Sequence, residues 1–236
     1  MDDIFNKIAE ERKKIIKDRF TVEYFINKFT PLDRLRKKID KKGEHCYLEE
    51  DLRRIIDSYS FAVASVKVFF GRLPLIKIPY DFDTANEKLF FYFIDDSFSR
   101  LYGIWNRMGN IINSFFNLIK DKKIYFEKVI DFLNHPPHSQ SPEFRWLYDY
   151  RKEDYGKILK YRHPIIHNEI SYSSFYRKFI KNASVTSDAR GLIKKLKEER
   201  THIKEDVDFL IANFDKIDEG IDNMIKFIGN SFKNYK

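Results

Sequence analysis

Apolar positions in this chain recur three and four residues apart, over stretches longer than strands reach. The clearest stripe is Phe90, Ile94, Ser97, Leu101, Ile104, Met108, Ile111, Phe115 and Leu118. Steps of four and three keep these on one face of a long helix packed against a neighbour. Thr84-Ala85-Asn86-Glu87 ahead of it reads as a capping box. A second stripe runs through Ile193, Leu196, Arg200, Ile203, Val207, Leu210, Phe214, Ile217, Ile221, Met224 and Ile228. It predicts a long C-terminal helix, or two if the chain breaks near Arg200. Gly109 falls inside the first stripe, where glycine costs about 1 kcal/mol relative to alanine, so it predicts a close helix crossing.

Shorter segments follow the same period. A first helix is expected from about Asp3 to Arg19. Thr30-Pro31-Leu32-Asp33 sets a cap before a proline, which predicts a helix starting there and ending near Lys42-Gly43. Leu48 to Phe70 predicts another, opened by acidic residues that suit the positive end of the helix dipole. Asp121 to Leu133 predicts a shorter one. Ser141-Pro142-Glu143 caps the next, which carries Phe144, Leu147, Tyr148, Tyr155, Ile158 and Leu159. No segment alternates with period two. The fold class is therefore all-α: an antiparallel helical bundle with additional N-terminal helices. Residues 1–83 read as a helical extension or subdomain and residues 84–236 as the bundle, with one continuous domain as the alternative.

Composition adds three constraints. The 23 Phe and 14 Tyr imply a core built of rings. Cys46 is alone, which excludes an intramolecular disulfide and a Cys-based metal cluster and fits a reducing compartment. The start, Met1-Asp2-Asp3-Ile4, lacks an apolar leader, and the longest apolar run, Leu89 to Ile94, falls far short of a membrane span. A cytoplasmic protein with no membrane partner is expected. The charge balance, 44 − 36 = +8, favours a polyanion such as nucleic acid as partner.

Familiar catalytic signatures, such as a glycine-rich phosphate loop or H-E-x-x-H, are absent. His135 and His138 flank two prolines in a loop with no third ligand nearby, so no metal and no cofactor are expected. One constellation remains: Tyr161-Arg162-His163-Pro164-Ile165-Ile166-His167-Asn168-Glu169. Arginine offers a planar fork matched to phosphate oxygens, and histidine moves protons near neutral pH. Together they suffice to drive a ribose 2′-hydroxyl onto the adjacent phosphate without metal. The preceding helix supplies Tyr150, Arg151, Lys152, Tyr155, Lys157, Lys160 and Tyr161 as a basic, aromatic side. Of these, Arg151, Lys152, Tyr155, Lys160 and Tyr161, with Asn168, are expected to contact RNA, the tyrosines by stacking on bases. Residues five apart on one helix point about 140° away from each other. Pro164 permits a break at Arg162-His163 that would bring Arg162 and His167 together; a continuous kinked helix is the other possibility. The bland alternative makes Arg162 a salt-bridging residue, with Asp154 or Glu169, and His167 a core histidine.

Arg-x4-His with a polar residue after the arginine, at the end of a helical bundle, resembles the HEPN superfamily. The run Tyr102-Gly103-Ile104-Trp105-Asn106-Arg107-Met108-Gly109 also looks like one bacterial HEPN subfamily. The resemblance implies a metal-independent endoribonuclease that leaves 2′,3′-cyclic phosphate and 5′-hydroxyl ends. It implies a homodimer in which two motifs meet, and a place in toxin–antitoxin or phage-defence systems with an antitoxin or regulatory protein. Carried over, Arg162 binds the scissile phosphate, His167 is the acid–base group, and His163 positions the pair. Glu169 stands where toxins paired with a nucleotidyltransferase often carry tyrosine, which argues against that form of regulation. Two other readings differ in class. One is a catalytically silent module binding RNA, nucleotide or protein. The other is an interaction protein using the stripe from Ile193 to Ile228 as a seam, with Val207, Leu210 and Phe214 at the subunit interface.

Overall fold

The computed structural model describes residues 2–39, 46–73, 85–120, 123–166 and 189–233. Among the described residues every regular element is helical. In chain order these are α1 (Asp2–Ile16), α2 (Val22–Lys38), α3 (Cys46–Phe70), α4 (Ala85–Phe116), α5 (Phe126–Leu133), a 3-10 turn (His138–Gln140), α6 (Pro142–Lys152), α7 (Asp154–Ile166) and α8 (Ala189–Ser231). The all-α expectation holds. The Thr84 capping box lies outside the described residues.

Both long stripes form. Phe90, Ile94, Ser97, Leu101, Ile104, Met108, Ile111 and Phe115 are all buried along α4. α8 passes Arg200 without a break, and Val207, Leu210, Phe214, Ile217, Ile221, Met224 and Ile228 are buried. Because Val207, Leu210 and Phe214 are covered within the single chain, they are not free to act as a seam between subunits.

α2 departs from expectation. It begins at Val22, capped by Thr21, whose Oγ1 accepts from the Tyr24 N–H at 3.1 Å, and runs straight through Pro31. A proline inside a helix costs about 3 kcal/mol. Phe25, Phe29, Leu32 and Arg36 recur on its buried face. Each large apolar side chain so buried returns about 1.5–3 kcal/mol, enough to carry the helix across the proline. The helix expected from Asp121 starts only at Phe126. The segment expected as one helix after Ser141 is two, α6 and α7, parted at Glu153 (φ −93°, ψ −77°). Ser141 caps α6 as expected, accepting from the Phe144 N–H at 3.1 Å.

The chain resolves into two compact units, each drawing on residues before and after position 84. The first comprises Met1–Lys17, Tyr59–Ser99 and Lys160–Asn213. Inside it the Tyr59 hydroxyl donates to the Leu210 carbonyl at 2.6 Å, tying α3 to α8. Arg12 Nε donates to Ser60 Oγ at 2.6 Å, and Lys67 pairs with Glu11, tying α1 to α3. Phe69 stacks on Phe93.

The second unit comprises Asp18–Ser58, Arg100–Leu159 and Phe214–Lys236. Here α3 runs against α4, with Asp51 opposite Arg107 and Ile55 opposite Gly103. α2 runs alongside α8 in the same direction: Arg19 meets Asp215, Tyr24 meets Asp218, and Lys28 meets Asp222. The core centres on Trp105, which stacks on Tyr150 at 3.8 Å and packs on Phe126.

The Tyr102–Gly109 run builds this core. Gly103 admits the tip of Ile55, since a Cβ there would lie 2.3 Å from Ile55 Cδ1. Asn106 Oδ1 accepts from the Phe126 N–H at 3.0 Å, satisfying a donor that the start of α5 leaves without a helical partner. Gly109 is the close crossing the sequence predicts: a Cβ there would meet the Phe126 Cα at 2.8 Å. At the end of α4, Asn113 Oδ1 accepts from Leu118 and Ile119, and its Nδ2 donates to the Ile119 carbonyl.

Candidate functional site

α7 carries the candidate motif. Its first turns belong to the second unit. There Tyr155 and Ile158 are buried, and the Tyr155 hydroxyl reaches Asn106 Oδ1 at 3.4 Å. Tyr155 therefore cannot stack on a base, which corrects the expectation from sequence. The reason is its spacing from the apolar residues before it. Eleven residues after Phe144, at about 100° per residue, Tyr155 falls about 20° from that buried ring and three residues before buried Ile158, so it belongs to the apolar face and not to the basic side.

The last turns belong to the first unit. Tyr161 stacks on Phe98 with ring centroids 4.0 Å apart and planes 3° apart, and Phe98 stacks in turn on Phe209. This aromatic stack fixes the rotation of the helix end. Arg162 follows half-buried, and His163 and Lys160 are exposed. One face of Tyr161 is thus committed to protein. α7 is continuous to Ile166, so there is no break at Arg162-His163, and the continuous helix is the form observed. Pro164 has no N–H to give to the Lys160 carbonyl, which leaves that acceptor open to another donor. His167 and Asn168 lie outside the described residues.

The remaining candidates divide. Arg151 pairs with Asp131 at 2.6 Å. Lys152 is exposed, with its ammonium 4.4 Å from the Tyr148 ring centroid. Neither approaches a second candidate in any contact the second unit displays. Lys160, Tyr161, Arg162 and His163 occupy consecutive positions at one helix end, with Lys160 and His163 exposed and Arg162 half-buried.

Of the two histidines flanking the prolines, both in the second unit, His135 is exposed and His138 half-buried. His135 and His138 lie 5.6 Å apart by ring centroid, and His138 meets Phe116 and Phe227 edge-on. Burial first, and then the neighbouring His135, lower the pKa of His138, so its neutral form is favoured. Among the described residues no group of three or more His, Cys, Asp or Glu is placed to hold a metal ion. No helix among them is long and apolar enough to cross a membrane.

Sequence reasoning missed the buried Arg36 and its partner Glu49. Arg36 Nη1 lies 2.6 Å from Glu49 Oε1 and 3.1 Å from Asp33 Oδ1. The available signal was an arginine on the apolar face of α2, three residues after Asp33, followed by a helix that opens acidic.

Comparison with known proteins gives one match to a family profile. That family is described as HEPN_Cthe2314-like HEPN, and it matches residues 81–234, more than half of the chain. The matched segment contains both the Tyr102–Gly109 run and the Arg162–His167 motif. No curated protein and no solved structure matches the chain. The family match, on an all-helical chain that carries Arg-x4-His in the matched segment, shows that the chain belongs to the HEPN_Cthe2314-like HEPN family.

Proposed function

We propose that this protein is a metal-independent endoribonuclease of the HEPN type that works as a homodimer. The observation that supports this most directly is the end of α7. Arg162 and His163 stand there in succession beside exposed Lys160, on a turn anchored by Tyr161 against Phe98, within the family-matched segment. A guanidinium at that position can grip both non-bridging oxygens of a phosphate. Lys160 adds sequence-independent attraction for the backbone.

The reaction uses His167, five residues after Arg162. Its neutral imidazole takes the proton from a ribose 2′-hydroxyl. The oxygen attacks the adjacent phosphorus, and the bond to the 5′-oxygen breaks. Arg162 stabilises the charge that gathers on the phosphoryl oxygens. The departing 5′-oxygen takes a proton from the second copy's imidazolium, so two motifs share base and acid roles. The products are a 2′,3′-cyclic phosphate and a 5′-hydroxyl. An antitoxin or other regulatory protein, acting in toxin–antitoxin or phage defence, belongs to the same proposal.

The test is cleavage of varied RNAs in EDTA by native protein, Arg162→Ala and His167→Ala, with the product ends identified. The proposal expects cyclic-phosphate ends from native protein and none from either folded variant. Native protein that binds RNA but never cuts it would make this a silent binding module. Cutting that survives both substitutions would place the active site elsewhere.

A further inference from the structure

Asp95 lies on α4, three residues before Phe98, the ring that anchors Tyr161. It is 6% exposed. An aspartate so deeply placed is almost always paired, because a charge held away from water is costly without an opposite charge or donors beside it. Asp95 and Arg162 both belong to the first unit.

The packing of α7 on α4 sets these two residues in register. Tyr155 packs on Tyr102 with ring centroids 5.9 Å apart, and further along α7 Tyr161 stacks on Phe98 at 4.0 Å. Rising numbers on α7 meet falling numbers on α4, so the two continuous helices run antiparallel. Arg162 is seven residues after Tyr155, and Asp95 is seven residues before Tyr102. Seven residues make about two turns and return to within ~20° of the same face. Two turns on from the Tyr155–Tyr102 contact, Arg162 therefore comes level with Asp95 on the facing side. Both tyrosines are buried, so this is the inner side of each helix. Lys160 and His163 turn away from Arg162 by about 160° and about 100°, and both are exposed. Arg162 itself is half-buried, as a residue at the edge of this seam should be.

We infer that Asp95 is a positioning residue, whose carboxylate accepts from one edge of the Arg162 guanidinium and keeps the other edge aimed outward at phosphate. A guanidinium carries five N–H donors in one rigid plane, so it can serve a carboxylate and a phosphate at once. Its stem is long and flexible, and an inner carboxylate is what holds the plane in a single pose. The catalytic consequence rests on the nuclease reading above; the ion pair does not.

The pair is tested by NMR on the isotope-labelled full chain. Arg162→Lys identifies the Arg162 Nε–H resonance by its loss. That resonance is expected to move in Asp95→Asn, which keeps the size of the side chain and removes its charge. If Asp95→Asn does not fold, the Asp95 carboxyl carbon is followed in Arg162→Ala and should shift there. Arg162 is only half-buried, so its truncation admits water to the carboxylate and that variant stays folded. An unmoved resonance in either folded variant would overturn the inference. Single-turnover cleavage tests the consequence. Asp95→Asn should lower the rate at saturating RNA about 100-fold, the scale for a misplaced group. The half-saturating RNA concentration should barely change, because Lys160 still attracts the backbone. Added to Arg162→Ala, Asp95→Asn should lower cleavage no further. A native rate in Asp95→Asn, or a further fall in the double variant, would overturn the positioning role. A native chain that cuts no RNA would end the nuclease reading instead, and the two resonances would still decide the pair.

Discussion

The Tyr102–Gly109 run and the end of α7 are both stretches on which the resemblance to HEPN rests, and the structure uses them in opposite ways. In the first, Trp105 is fully buried, the Asn106 oxygen takes two donors from within the chain, and two glycines make room for neighbours. In the second, Tyr161 is anchored on a ring partner, while His163 and Lys160 are exposed. A polar residue enclosed by internal donors holds a fold together. A polar residue on the exposed rim of an anchored helix is within reach of solvent and of a ligand.

The largest effect should come from the second region. Arg162→Ala and His167→Ala are each expected to lower RNA cleavage about 10²–10⁴-fold, the range for losing a positioned proton-transfer or charge-stabilising group. Melting temperatures should stay near that of the native protein, as single-turnover assays beside calorimetry would show. A large fall in stability for Arg162→Ala would break the comparison by making that arginine structural as well.

Asn106→Ala should do the reverse. It leaves the Phe126 N–H buried without its acceptor and takes one from the Tyr155 hydroxyl. Each such loss costs about 1–3 kcal/mol. For a chain of this size that corresponds to about 2–4 °C of melting temperature per kcal/mol. Cleavage per folded molecule should be unchanged. Denaturant melts paired with the cleavage assay measure both.

The glycines sharpen the point further. Gly109→Ala forces a methyl to 2.8 Å from the Phe126 Cα, a backbone atom that cannot rotate away, and should destabilise by about 1–3 kcal/mol. Gly103→Ala brings its methyl even closer to Ile55, but to Cδ1, the tip of a flexible side chain. It should cost less, and the gain in helix propensity of about 1 kcal/mol offsets part of that cost. Equal losses for the two would mean that α5 yields as easily as a side chain does.

What the sequence made legible follows from how local each signal is. The stripes on α4 and α8, the cap at Ser141 and the crossing at Gly109 are written within a few residues of where they act. Thr30-Pro31 was equally local and misled, because burial of Phe29 and Leu32 outweighed the proline. The division of α6 from α7 turns on the backbone at a single residue, Glu153, which carries no Gly or Pro to announce it. Arg36 and Glu49 are 13 positions apart on different helices, and no spacing rule links them. Within the candidate site, Arg162 and His163 are read from their chemistry alone, whereas Tyr155 was counted on the basic side although its eleven-residue spacing from Phe144 sets it on the apolar face.

Tyr155→Phe carries the smallest effect and tests that misplacement directly. The ring is buried, at 1% exposure, and packs against Tyr102 and Phe126. Phenylalanine keeps all of that packing and removes only the hydroxyl, whose bond to Asn106 is long at 3.4 Å. The expected loss is about 0.5–1 kcal/mol, at the low end for a neutral hydrogen bond. RNA affinity should not change at all, because a base cannot reach a ring enclosed on this scale. If Tyr155→Phe or Tyr155→Leu weakened RNA binding in a folded protein by the ~1–3 kcal/mol typical of a lost base stack, α7 would have to present this ring in the RNA complex.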